Sequence, residues 1–213
     1  MITLREIVPP NSARAARSSE TVLAVPDYPW ELVRPLVLAD GAVLRRRPIR
    51  PDDEPRLIEL FDRLSARTVY QRFFRAYDRL PEHWYRRFAN VDYRTRLALV
   101  AEEQGTSLRA VARYEPGEAP GTPEIAIVVE DAWQGRGLGS LLLDALLAAA
   151  ETRGQRRFRA DVLADNRPML RVLSRLAYVR RRELDHGVLT IEFERQPIGG
   201  CTLAASAAST LVP

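Results

Sequence analysis

The stretch Gln134-Gly135-Arg136-Gly137-Leu138-Gly139 follows an apolar run, Ile125-Ala126-Ile127-Val128-Val129, and leads into Ser140-Leu141-Leu142-Leu143. Four of the five residues in that run are β-branched, which predicts a strand at the centre of a sheet, buried on both faces. Residues 140–153 repeat apolar side chains at helical spacing, and Gly154 supplies a stop. Strand, glycine turn and helix together make an anion site. Glycines let the backbone approach a phosphate, and the free amides and helix dipole point at it. The candidate donors run from Gly135 to Ser140, with Arg136 adding charge.

Three readings of this loop compete. A phosphate-binding P-loop needs a lysine, and the chain has none. A dinucleotide turn needs a third glycine where Ser140 stands, and it begins directly off its strand. Here Glu130-Asp131-Ala132-Trp133 intervene. The third reading is a tight connection with no ligand.

Outward from the loop, residues 42–49 read as a strand after the Asp40-Gly41 turn. Asp52 is the expected N-cap of a helix carrying Leu57, Leu60, Phe61 and Leu64. Ser65 and Pro81 open two more helical stretches. Strands are expected at 97–102 and 108–114, then at 157–163, 178–184 and 188–194. Asn166-Arg167-Pro168 starts the last helix. The order predicts an α/β (α+β) fold, a mixed sheet with helices on both faces. Residues 1–36 are expected to be an N-terminal extension, 37–195 the domain, and 196–213 a disordered tail.

All 32 basic side chains among the 213 residues are arginine. No lysine nucleophile or Schiff base is available. The net charge of +4 favours anionic partners, either nucleic acid or a phosphate-rich cofactor. One cysteine and two histidines argue against a disulfide within the chain and against a metal site. No apolar run is long enough for a signal-peptide core or a membrane span, so the expected address is the cytoplasm.

Gln-x-x-Gly-x-Gly at Gln134, Gly137 and Gly139, with its flanks, resembles the acyl-CoA signature of the GCN5-related N-acetyltransferase (GNAT) family. The resemblance covers about residues 43–195. Arg47-Pro48-Ile49-Arg50-Pro51-Asp52-Asp53, Leu64-Ser65 and Tyr70-x-Arg72-Phe73-Phe74 are similar to the acetyltransferase domain of bacterial Pat-type protein lysine acetyltransferases. The resemblance implies a splayed central strand and acetyl-CoA as acyl donor, with its pyrophosphate on the amides of Gly135, Arg136, Gly137, Leu138, Gly139 and Ser140, and Gln134 among the cofactor-binding residues. It also implies that the cofactor arm pairs with Ile127, Val128 and Val129 and meets Asn166. The bland role of Asn166 is to cap its helix. The implied acceptor is a protein lysine; the alternatives are a small amine such as a polyamine or aminoglycoside, and a nucleic-acid-binding or CoA-sensing regulator. A lysine acetylase of this composition has no lysine side chain of its own to modify, so self-labelling would fall on the N-terminal amine or a hydroxyl.

An amine of pKa ~10.4 costs about 4.6 kcal/mol to deprotonate at pH 7, so a base is needed. It should stand on the acyl side of the phosphate loop. Glu124, six residues before Glu130, lies roughly 20 Å up an extended strand, and the Pat-type pattern also places a catalytic Glu there. The plain alternative is a surface carboxylate. Glu130 and Asp131 are rivals nearer the phosphates. Leu173 stands where many family members place a tyrosine acid, which leaves water or Tyr178 to protonate the thiolate, although Tyr178 is expected to pack the next strand. Eight of the 16 aromatics fall in residues 70–93. At helical spacing these are core, while the resemblance puts them in an acceptor channel. Interleaved arginines such as Arg72, Arg87 and Arg96 read as a solvated face or, less simply, as nucleic-acid contacts.

Overall fold

The computed structural model describes residues 28–196. The expectations for residues 1–27 and 197–213 lie outside the described residues.

Eight strands form one sheet: β1 (Arg34–Val37), β2 (Val43–Pro48), β3 (Leu97–Glu103), β4 (Ser107–Glu115), β5 (Glu124–Val129), β6 (Phe158–Leu163), β7 (Ala177–Asp185) and β8 (Val188–Arg195). The spatial order is β1-β2-β3-β4-β5-β6-β8-β7. Every neighbouring pair is antiparallel except β5 and β6. That parallel pair needs a crossover, which α4 (Leu138–Glu151) supplies. It is paired at one register position, Glu124 with Arg159, and the strands then part. The mixed sheet and the splayed strand are therefore both present.

This parting corrects one expectation. β5 is central, but it is not buried on both faces. Only Ile125 is fully buried; Ile127, Val128 and Val129 are half-buried because β6 does not continue beside them. Their β-branched side chains wall a cleft instead.

Three helices precede β3: α1 (Glu54–Asp62), α2 (Ala66–Phe73) and α3 (Glu82–Ala89). Leu57, Leu60 and Phe61 of α1 enter the core, as do Trp84, Tyr85, Phe88 and Ala89 of α3. The Ser65 hydroxyl caps α2 by accepting from the Thr68 amide at 3.2 Å. Asp53, not Asp52, closes the entrance to α1. Its carboxylate accepts the Arg50 amide at 2.8 Å and two guanidinium bonds from buried Arg47 at 2.7 Å. Glu102 takes Arg47 from the other side at 2.7 Å, so the buried cation is fully paired.

On the opposite face α4 buries Leu138, Leu142, Leu143, Leu146 and Leu147 against β3, β4 and β5. The helix α5 (Arg167–Leu176) contacts α4 and β7. Helices thus cover both faces. The centre of the core is β3, where Leu97 to Ala101 are wholly inaccessible.

The expected domain start at residue 37 falls inside β1. Tyr28 also belongs to the folded unit: its hydroxyl donates to the Pro48 carbonyl at 2.9 Å, and its ring meets Tyr93 edge-on at 5.7 Å. Pro35 hid the strand from sequence reading. It is tolerated because β1 is an edge. Among the described residues no helix is long and apolar enough to cross a membrane.

Candidate active site

The gap between β5 and β6 opens a cleft of about 900 Å³. One end is the glycine loop, and β5 fixes the geometry of everything else. Gly139 faces Ile127 and Val129, since a Cβ built on it would lie 3.7 and 3.5 Å from their side chains. Those residues therefore point to the α4 side. Glu124, Ala126 and Val128 alternate to the side of α1, α2 and α3.

The two acids before the loop are both taken. Glu130 is buried and clamped by Arg63 at 3.0 Å and Arg109 at 2.8 Å. Asp131 accepts the Ser65 amide at 2.9 Å, the Ser65 hydroxyl at 2.6 Å and the Thr68 hydroxyl at 2.8 Å. Burial works against its charge, but these bonds prevail and hold the carboxyl below its ordinary range. Neither acid lines the cleft. Arg63 and Arg109 offset the charge of Glu130, while Asp131 stays ionised and is bonded away from the cleft lining.

Gln134 ties the loop down. Its amide nitrogen donates to the Val129 carbonyl at 3.0 Å and the Thr68 hydroxyl at 3.1 Å. Gly135 and Gly137 then take positive φ, +74° and +86°, which explains glycine at both. Gly137 is the N-cap of α4, so the unpaired amides of its first turn open beside Gly135, Gly139 and Ser140, all of which line the cleft. The Leu138 side chain is buried in the core, and only its backbone is available to a ligand.

Arg136 departs from expectation. Its Nε donates to Asp40 at 2.6 Å and its guanidinium stacks 4.2 Å from the Trp133 ring centroid. It does not line the cleft.

Asn166 is buried, lines the cleft, and caps α5 by accepting the Met169 amide at 3.2 Å. Leu173 is buried, so no hydroxyl stands there. Tyr178 neither packs nor reaches the cleft. It is 56% exposed on β7, with Arg180 4.4 Å over its ring, because β7 is the far edge of the sheet.

At the other end Glu124 lines the cleft. A chain of edge-on rings forms the wall there: Phe73 to Tyr77 at 5.9 Å, Tyr77 to Trp84 at 5.7 Å and Trp84 to Phe88 at 6.0 Å. The aromatics therefore serve both as core and as lining. Beside Glu124 lies a cluster that sequence reading missed. Glu115 receives Arg113 at 2.6 Å, Arg87 at 3.2 Å and Arg96 at 3.6 Å. Two of the interleaved arginines thus turn inward onto a carboxylate. Only the pairing of β4 with β5 brings Glu115 next to Glu124, and no local motif signals it.

The profile of the Acetyltransferase (GNAT) family matches residues 60–178, which include the glycine loop, Glu124 and Asn166. The chain belongs to the GNAT acetyltransferase family. Among its GNAT relatives, Acetyltransferase Pat of Mycolicibacterium smegmatis is 34% identical over 167 residues, covering 77% of this chain and 49% of that protein. Acetyltransferase PA5475 of Pseudomonas aeruginosa is 30% identical over 185 residues, covering 85% and 96%. The chain therefore spans about half of the first relative and nearly all of the second. Among solved structures, the GNAT domain of S. lividans PAT superposes with a TM-score of 0.72 at 37% identity, covering 79% of this chain and 99% of that one. The mixed, mostly antiparallel sheet is the GNAT fold.

Proposed function

We propose that the protein transfers an acetyl group from acetyl-CoA to an amine, with a protein lysine as acceptor and Glu124 as general base. One observation carries this reading: a single cleft joins the amides of the glycine loop to Glu124 along the unpaired edge of β5. A long donor with phosphates at one end and a thioester at the other fits that shape. The donor set is suitable, since backbone amides and a helix N-terminus favour anions and neither Glu130 nor Asp131 lines the cleft. Ile127, Val128 and Val129 line the cleft for the donor's arm, with the backbone of Ile127 and the amide of Val129 turned to the open edge of β5, and Asn166 lines the same cleft.

The bound donor supplies an activated thioester. The chain's own residues do the rest. The aromatic wall excludes water and orients the acceptor's apolar stem. Glu124 takes the proton from the ammonium, directly or through water, so that the neutral amine attacks. Similarity to the Pat relatives supports lysine as acceptor. The cytoplasm, where acetyl-CoA and lysine-bearing proteins meet, is the proposed site of action.

The test is a mass-spectrometric screen of acceptors with purified protein and acetyl-CoA. Acetylated lysines on protein substrates are expected. Turnover confined to small amines would overturn the choice of acceptor, and an unchanged Tm in millimolar acetyl-CoA would overturn the donor.

A further inference from the structure

The Arg72 guanidinium lines the cleft and also a small inner cavity of about 50 Å³ behind it. Among the described residues it makes no hydrogen bond or ion pair; its one close partner is the Phe73 ring, 4.9 Å from centroid to guanidinium carbon. Its neighbours deepen the imbalance. Arg113 borders the same inner cavity, and its Nε is sealed from solvent without a hydrogen-bond partner. Arg87, Arg96 and Arg113 already share one carboxylate, Glu115, so with Arg72 four cations stand around two carboxylates, Glu115 and Glu124. Arg72 is half-buried at the cleft, and burial and the nearby Arg113 push its guanidinium down to about 10 against the pull of Glu115. Desolvated arginines are normally paired.

We propose that Arg72 is a carboxylate subsite of the acceptor end of the cleft. It is not the phosphate site. Arg72 lies one helical turn past Thr68, which is already bonded to Gln134 of the glycine loop, and so stands further up the cleft toward the aromatic wall. Its planar fork suits a carboxylate held by two bonds. That carboxylate has two possible sources. It is either an acidic group beside the acceptor amine or the free end of a dicarboxylic acyl donor. The subsite deepens the acyl-CoA reading and rests on it.

The experiment compares wild type with Arg72→Gln. Melting is followed in acetyl-CoA and in succinyl-CoA, and thiol release is followed with lysine peptides that differ only by Glu or Gln beside the lysine. Acetyl-CoA is expected to protect both proteins alike, which also shows that the variant folds. If the acceptor carries the carboxylate, wild type turns over Glu peptides about tenfold faster and the variant loses the preference. If the donor carries it, succinyl-CoA protects wild type at about tenfold lower concentration than acetyl-CoA, and the variant does not distinguish them. No preference on either arm, or a preference that survives in Arg72→Gln, overturns the subsite. If acetyl-CoA protects neither protein, it is the donor reading that fails. The subsite then stands or falls on whether glutarate gives a saturable change in tryptophan emission in wild type that Arg72→Gln abolishes.

Discussion

Glu115 and Glu124 stand directly opposite each other across β4 and β5, their side chains on the same face of the sheet. Two carboxylates so placed repel when both are ionised. Arg113, Arg96 and Arg87 on Glu115 offset that charge, and of the two Glu124 is the one that lines the cleft. Glu124→Gln removes the proposed base and keeps the shape. It is expected to lower kcat about a hundredfold or more while acetyl-CoA raises Tm as in wild type. Unchanged kcat in steady-state assays would take Glu124 out of the chemistry.

Glu115 also sets acid stability. Burial pushes its carboxyl up, but Arg113, Arg96 and Arg87 outweigh burial and hold it below the ordinary 4.5. A pKa lowered by folding contributes stability above the ordinary value, and that contribution is lost as pH falls through the folded value. Tm is therefore expected to be level above roughly pH 5 and to drop below about pH 4.5. Asp131, also lowered, adds to the drop. In Glu115→Gln the protein should be less stable at pH 7 and its acid slope shallower, as measured by calorimetry between pH 3 and 7.

The loop glycines make a contrast. Gly137 sits at φ +86°, so Gly137→Ala is expected to cost about 1–2 kcal/mol and to disturb the first amides of α4. Gly139 is helical, and an added methyl meets Val129 and Ile127 at ordinary contact distances. Gly139→Ala should keep the stability or raise it slightly, by up to about 1 kcal/mol. Denaturant titrations of the two variants check the order.

Asp40 holds Arg136 away from the cleft. Asp40→Asn is expected to release it toward the donor phosphates and to tighten acetyl-CoA binding by roughly two- to fivefold, an effect that weakens with salt. The double variant Asp40→Asn, Arg136→Ala should show no gain. Calorimetric titration in low and high salt distinguishes the two.

The parts legible in the sequence are those whose cause is local. Ser65 and Asn166 cap helices because a hydroxyl or amide oxygen reaches an amide three residues on. The glycine loop is legible because positive φ selects glycine. β1 was missed because four residues with a proline carry no alternation, and only pairing with β2 makes them a strand. Arg136 was misplaced because its partner, Asp40, lies 96 residues away. The uniform arginine load concealed the difference between Arg47, which is buried and fully paired, and Arg72, which faces the cleft without a partner. Composition counts both alike; the fold separates them.

The single register pair between β5 and β6 has a thermodynamic consequence. A sheet that closed this ladder would gain rigidity and lose its reaction chamber. The chain leaves a row of peptide groups to be completed by whatever enters. If the proposed donor completes that edge, its binding is the last step of assembling the sheet, and the Ile127 and Val129 amides, which face the gap, should exchange with solvent slowly only in its presence.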